Sequence, residues 1–136
     1  MKKKLTFLLI PLIGFCIISC QETKNERFAR EAKEYTERNC PQRITADGTI
    51  VLDSMVFHGE EANEMVYYYS VNTSEEGVQQ IIGQKDNLRQ SMLSNIRNSV
   101  DLKHIKNAGL TLRYVYFSAL TEHSILELRF TADDYN

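Results

Sequence analysis

Hydrophobic positions change their period several times along the chain, and each change marks an element. Residues 5–18 form an almost unbroken apolar run, interrupted by Pro11 and Gly14 and preceded by Lys2, Lys3 and Lys4. Residues 26–39 read as a helix. Phe28, Ala32 and Tyr35 make a narrow apolar stripe, and Glu26/Arg30, Arg30/Glu34 and Glu34/Arg38 are opposite charges at i,i+4. Asn39-Cys40-Pro41 stops it, because proline disfavours helix in the residue before it. Residues 49–57 and 65–71 are β-branched and aromatic, which predicts two strands joined by a hairpin loop over 59–63.

Ser74 then offers a helix cap, with Glu75 and Glu76 favourable in the first turn. Val78, Ile81, Ile82, Leu88, Met92, Leu93, Ile96 and Val100 recur at three and four residues, predicting one long amphipathic helix. Leu102 and Ile105 suggest a further short turn before Gly109, a helix-stop glycine. Strands over 110–117 and 124–131 close the chain. The order α-β-β-α-β-β predicts an α+β fold, a two-layer sandwich with a four-stranded, mainly antiparallel sheet and helices on one face.

Strand alternation assigns two faces to that sheet. Ile50, Leu52, Val56, Met65, Tyr67, Tyr69, Val71, Leu112, Tyr114, Tyr116, Leu126, Leu128 and Phe130 are expected beneath the helices. Val51, Asp53, Met55, Phe57, Val66, Tyr68, Arg113, Val115, Phe117, Ile125, Glu127 and Arg129 are expected on the other face. This second set mixes aromatic and Met side chains with charges that can pair across strands. Met55, Phe57, Tyr68, Arg113, Val115, Phe117, Glu127 and Arg129 are therefore the candidate interface, a patch that a monomer rarely leaves wet.

Charge sharpens the division at the N-terminus. The 136 residues carry a net −2, but residues 1–19 hold three cations and no acid. The remaining 117 residues have thirteen Lys+Arg against eighteen Asp+Glu, a net −5. Such a domain lacks the cation surplus that nucleic-acid binding requires. No other apolar stretch approaches the 18 residues of a membrane span.

Lys2 to Lys4 and the apolar run have the anatomy of an export signal. The run ends in Ile17-Ile18-Ser19-Cys20, which resembles a bacterial lipobox: a branched aliphatic, a tolerated aliphatic, a small residue, then cysteine. The resemblance implies that Cys20 receives a diacylglyceryl group, that a lipoprotein signal peptidase removes residues 1–19, and that the new N-terminus is acylated. Cysteine is the side chain able to act as nucleophile near neutral pH, and more than one acyl chain is needed for a stable anchor. Residues 20–25 would then be lipidated cysteine and tether, and 26–136 the domain. Asn39-Cys40-Pro41, Leu52-Asp53-Ser54 and Leu112-Arg113-Tyr114-Val115-Tyr116 are similar to phrases in small lipoproteins of gut Bacteroidetes and their relatives. That similarity implies the fold and a cell-envelope location, expected at the outer membrane, with no activity attached.

With Cys16 removed and Cys20 lipidated, Cys40 is the remaining thiol and cannot form an intramolecular disulfide. Catalytic signatures such as Gly-x-Ser-x-Gly or a P-loop are absent from the sequence, and no cofactor is implied. His58 and His123, each at a predicted hairpin tip beside Glu60, Glu61, Glu64 and Glu122, are the alternative. In a fully antiparallel sheet both tips share one end, so His58, His123, Glu60 and Glu122 could converge on a metal or serve a small hydrolase. The primary expectation is a membrane-tethered, non-catalytic interaction domain. Its partners would be the membrane through Cys20 and an envelope protein or a second copy.

Overall fold

The computed structural model describes residues 20–136, so the expected export signal lies outside the described residues. Helix α1 (Lys24–Asn39) starts two residues earlier than its stripe suggests. The reason is a capping box: the Thr23 hydroxyl accepts from the Glu26 N–H, and the Glu26 carboxylate accepts from the Thr23 N–H. A two-residue strand β1 (Gln42–Arg43) precedes β2 (Ile50–His58) and β3 (Glu64–Val71). Helices α2 (Glu75–Gly83), α3 (Lys85–Asn98) and α4 (Lys103–Asn107) lead to β4 (Thr111–Ser118) and β5 (Ser124–Phe130), and α5 (Ala132–Tyr135) ends the chain.

The expected long helix is two helices. The break falls at Gln84, directly after Gly83, where φ −100° and ψ 13° leave the helical region and the Gln84 N–H donates to both Ile81 and Ile82. Gly109 ends α4 as its sequence position implies. At φ 68° it allows its own N–H to donate to the Lys106 carbonyl at 3.0 Å and that of Leu110 to Ile105 at 3.3 Å, the Schellman pattern.

The sheet has five strands in the order β1-β2-β3-β4-β5, and it is mixed rather than mainly antiparallel. Neighbours β1/β2, β2/β3 and β4/β5 are antiparallel, but β3 and β4 run parallel from Glu64↔Thr111 to Val71↔Ser118. The four-stranded expectation missed β1, which is too short to alternate. It also missed the central pair, whose helical crossover is long enough to return the chain parallel.

Helices cover one face. Their anchors are Phe28 and Ala32 of α1, Val78 of α2, Ile96 of α3, Ile105 of α4 and Tyr135 of α5. They close over Met65, Tyr67, Val71, Leu112, Tyr114, Tyr116, Leu126, Leu128 and Phe130 as alternation predicts. Tyr67 stacks on its register partner Tyr114, and Tyr69 on Tyr116, each with centroids 4.8 Å apart. The Tyr135 hydroxyl donates to the Leu110 carbonyl at 2.7 Å, fixing α5 to the start of β4.

Two bulges redirect side chains that alternation had assigned. In β2, Leu52 pairs with Tyr69 and Ser54 with Tyr68, so Asp53 is an extra residue and every later side chain changes face. Met55 and Phe57 therefore point under the helices, while Val56 turns outward. Phe57 lies 5.5 Å from Phe28, and Thr36 of α1 brackets Met55 by accepting from its N–H and donating to its carbonyl. The second irregularity, between Tyr116 and Phe117, leaves Ile125 packed against the core near Val78 and Ile82.

Placing a carboxylate at Phe57 would put it against Phe28. Phe57→Asp is expected to destabilise the domain strongly in a denaturant melt, and Phe28→Ala by about 3–5 kcal/mol. Phe117→Asp, on the uncovered face, should cost no more than about 1 kcal/mol.

Candidate functional site

Among the described residues no helix covers the second face of the sheet, and its chemistry changes along the strands. Toward the β3 start, Arg113 and Arg129 are direct cross-strand partners, an arrangement that like charges make unfavourable. Two carboxylates interleave them. Arg113 donates two hydrogen bonds to Glu127, at 2.7 and 3.0 Å, and Arg129 reaches Glu64 at 2.8 Å, with Arg113 3.8 Å from Glu64 on its other side. The quartet is neutral as a whole. Glu64 is only 5% exposed, whereas Arg129 and Glu127 remain open to solvent. The Arg113 guanidinium holds the Glu127 carboxyl below its ordinary value, and Glu127 in turn raises Arg113.

Toward the other end of the same face, Tyr68 and Phe117 stack with centroids 6.2 Å apart, and Val51 and Ser70 adjoin them through the register. The Ser70 hydroxyl donates to the Asp53 carboxylate of the bulge. Val66 and Val115 also belong to this face, yet they are buried beneath the longer neighbours. Of the expected interface residues, Tyr68, Arg113, Val115, Phe117, Glu127 and Arg129 share the uncovered face. Met55 and Phe57 do not, because of the Asp53 bulge, and the exposed apolar area is smaller than strict alternation implies. Glu64 belongs to the quartet, although its sequence position had associated it with the hairpin tip. Period-two counting through Val66 and Tyr68 carries the signal that would have found it.

The histidine expectation meets a topological obstacle. Because β3 and β4 are parallel, the β2–β3 turn and the β4–β5 turn lie at opposite ends of the sheet. An eight-residue strand at roughly 3.3 Å per residue separates those ends by about 23 Å. His58 and Glu60 are thus at one end, and Glu122 and His123 at the other. The convergence required a fully antiparallel sheet. Among the described residues, no group of three or more His, Cys, Asp or Glu side chains comes together to hold a metal ion.

A cavity of about 660 Å³ on the helix side, between α1 and α4, was not legible from the sequence. Met55, Met65 and Tyr67 contribute its floor, and Arg27, Glu31, Tyr35, Asp101 and His104 line its mouth. His104 bridges the two helices: its Nε2 lies 3.2 Å from Glu31, while its Nδ1 lies 3.1 Å from the Asp101 carbonyl. Burial pushes the Tyr67, Tyr69 and Tyr114 hydroxyls upward and Tyr116 up to about 12, so all four are neutral hydroxyls at physiological pH. Cys40 is half-buried, and burial, reinforced by the Asp53 charge, pushes its thiol up and lowers its thiolate fraction. Cys20 is exposed, and no helix of the described residues is long and apolar enough to cross a membrane.

Residues 23–126 match the model of a family described as Domain of unknown function (DUF8479). No curated protein matches the chain by sequence. Among solved structures, a candidate secreted protein from Pseudomonas aeruginosa shares the fold with a TM-score of 0.69 at 17% identity, over 82% of this chain and 92% of that one. The pilotin EpsS from the Vibrio vulnificus type 2 secretion system does so with a TM-score of 0.57 at 13% identity, over 82% and 91%.

Neutralising Glu64 should expose the Arg113–Arg129 repulsion. Glu64→Gln is expected to cost about 1–3 kcal/mol in urea melts, with much of the loss relieved by adding Arg129→Ala. Glu127 has a lowered folded pKa, so its stabilisation is present above the ordinary value of 4.5 and lost as pH falls through the folded value. Glu127→Gln should accordingly flatten the stability–pH curve below about pH 4.5 and leave its alkaline side unchanged.

Proposed function

The chain belongs to the DUF8479 family, and we propose that it is a lipid-anchored, non-catalytic docking domain of the cell envelope, held at the outer membrane through Cys20. The observation that carries this reading is the uncovered sheet face, where the Tyr68–Phe117 stack lies beside a neutral Arg/Glu quartet. Large aromatic rings bordered by satisfied polar groups are the anatomy of a protein interface, in which a few anchors supply most of the affinity. The occupant is another envelope protein. Ile17-Ile18-Ser19-Cys20 supports the lipid anchor, as does the exposure of Cys20 directly before the capped helix. A pilotin is among the proteins of similar fold, which favours an accessory role beside an envelope assembly.

The α1–α4 cavity gives a second reading, favoured by the adaptable Met55 and Met65 in its lining. In that case Tyr35 and Leu102, rather than Tyr68 and Phe117, would touch the partner.

Intact mass of the mature protein is expected to show an acylated N-terminus at Cys20, and Cys20→Ser should abolish the acyl mass and leave residues 1–19 uncleaved. Site-specific photo-crosslinking in cells from Tyr68 should give a discrete adduct that Phe117→Asp reduces severalfold while the domain stays folded, its stability lowered by no more than about 1 kcal/mol. Crosslinks from Tyr35 with none from Tyr68 would favour the cavity. A self-adduct together with a dimer by light scattering would make the occupant a second copy.

A further inference from the structure

The start of α1 is fixed to one end of the sheet by three separate contacts. Lys24 Nζ donates to the Ala108 carbonyl at 3.2 Å and lies 3.5 Å from Asn63 Oδ1. Asn63 in turn donates through Nδ2 to the Gly109 carbonyl at 3.4 Å and accepts at its own carbonyl from the Thr111 N–H at 3.0 Å. Gly59 adjoins Asn25 so closely that a Cβ added there would fall 3.0 Å from Asn25 Cγ. The β2–β3 turn, the end of α4 and the first turn of α1 therefore form one surface.

The chain between that surface and Cys20 is shorter than it looks. Arg30 donates two hydrogen bonds back to Glu22, at 2.7 and 3.1 Å, and the capping box holds Thr23. Only Cys20 and Gln21 are unpinned. Two residues extend about 7 Å, against about 23 Å from one end of β3 to the other. A bilayer holding the acyl chains of Cys20 can therefore meet only the end to which α1 is tied.

We infer that the lipid-anchored domain stands on the surface made by residues 21–25, 59–63 and 106–109, with its strands upright and the far ends of β3 and β4 directed away from the membrane. This rests on the lipid anchor proposed above. On the uncovered face, Glu64, Arg113 and Arg129 then lie nearest the bilayer, Tyr68 and Glu127 share the next row across Val115, and Phe117 lies farther from it. Leu120, 66% exposed in the β4–β5 turn, marks the distal end. Charge does not set this posture. Lys24 and Lys106 are engaged by backbone carbonyls, and Glu22, Glu26, Glu60 and Glu61 surround the same end, so attraction to anionic headgroups is weak.

The test uses the full-length, lipidated protein with Cys40→Ser, reconstituted in phosphatidylethanolamine/phosphatidylglycerol vesicles containing a headgroup-nitroxide lipid. A fluorophore is attached at Glu61→Cys or at Leu120→Cys. Quenching is expected to be severalfold stronger at position 61, and unchanged by added salt. Inserting a flexible Gly/Ser segment of about 20 residues after Cys20 should remove the contrast, since its mean span of roughly 25 Å matches the domain. Vesicle-bound protein with equal or reversed quenching would overturn the posture while leaving the anchor intact. Failure of the protein to co-float with vesicles, with no acyl mass at Cys20, would overturn the anchor and the posture together.

Discussion

The parallel pairing of β3 and β4 is the constraint on which the rest of the structure depends. Hairpins alone would give antiparallel neighbours throughout. The three-helix crossover between Val71 and Thr111 instead returns the chain to the end where β3 began. That single choice stacks Tyr67 on Tyr114 and Tyr69 on Tyr116 beneath the helices. On the opposite face it puts Glu64 within reach of both Arg113 and Arg129, and Tyr68 against Phe117. It also gives the sheet two unlike ends. One holds the β2–β3 turn and the start of α1, and the other holds the β4–β5 turn.

Polar groups on the uncovered face are arranged to satisfy one another. A buried carboxylate costs free energy unless it is paired, and Glu64 is tolerable because two guanidiniums meet it. The same pairing turns an unfavourable Arg–Arg register into a neutral lattice. Among the described residues no helix covers Val66 and Val115, and both are buried beneath this lattice. What remains at the surface between the charges is the half-buried Tyr68–Phe117 pair.

Much of this was legible in the sequence, and the exceptions have local physical causes. Periodicity located α1, β2, β3, β4 and β5, and Gly109 marked the end of α4. Face assignment held for Tyr67, Tyr69, Tyr114, Tyr116, Leu126, Leu128 and Phe130, since each strand runs without insertion through those positions. It failed for Val56, Met55 and Phe57 because Asp53 inserts one residue, and for Ile125 at the irregularity opposite Tyr116 and Phe117, because a period of two has no tolerance for an insertion. Nothing in Leu52-Asp53-Ser54 announces a bulge; the signal is tertiary, in the contact of Thr36 with Met55. The convergence of His58 and His123 rested on a fully antiparallel sheet, and the parallel β3–β4 pair separates them. The α1–α4 cavity was invisible because it depends on how two sequence-distant helices sit over the sheet.

Strand polarity at the sheet centre can be measured directly. Nitroxides at His58→Cys and His123→Cys, in residues 21–136 carrying Cys40→Ser so that no other thiol is labelled, report the separation of the two turns by double electron–electron resonance. The parallel register predicts a separation above about 20 Å, set by the length of β3. A separation near 10 Å would mean that both turns share one end, and would contradict the β3–β4 pairing and the two-ended sheet built on it.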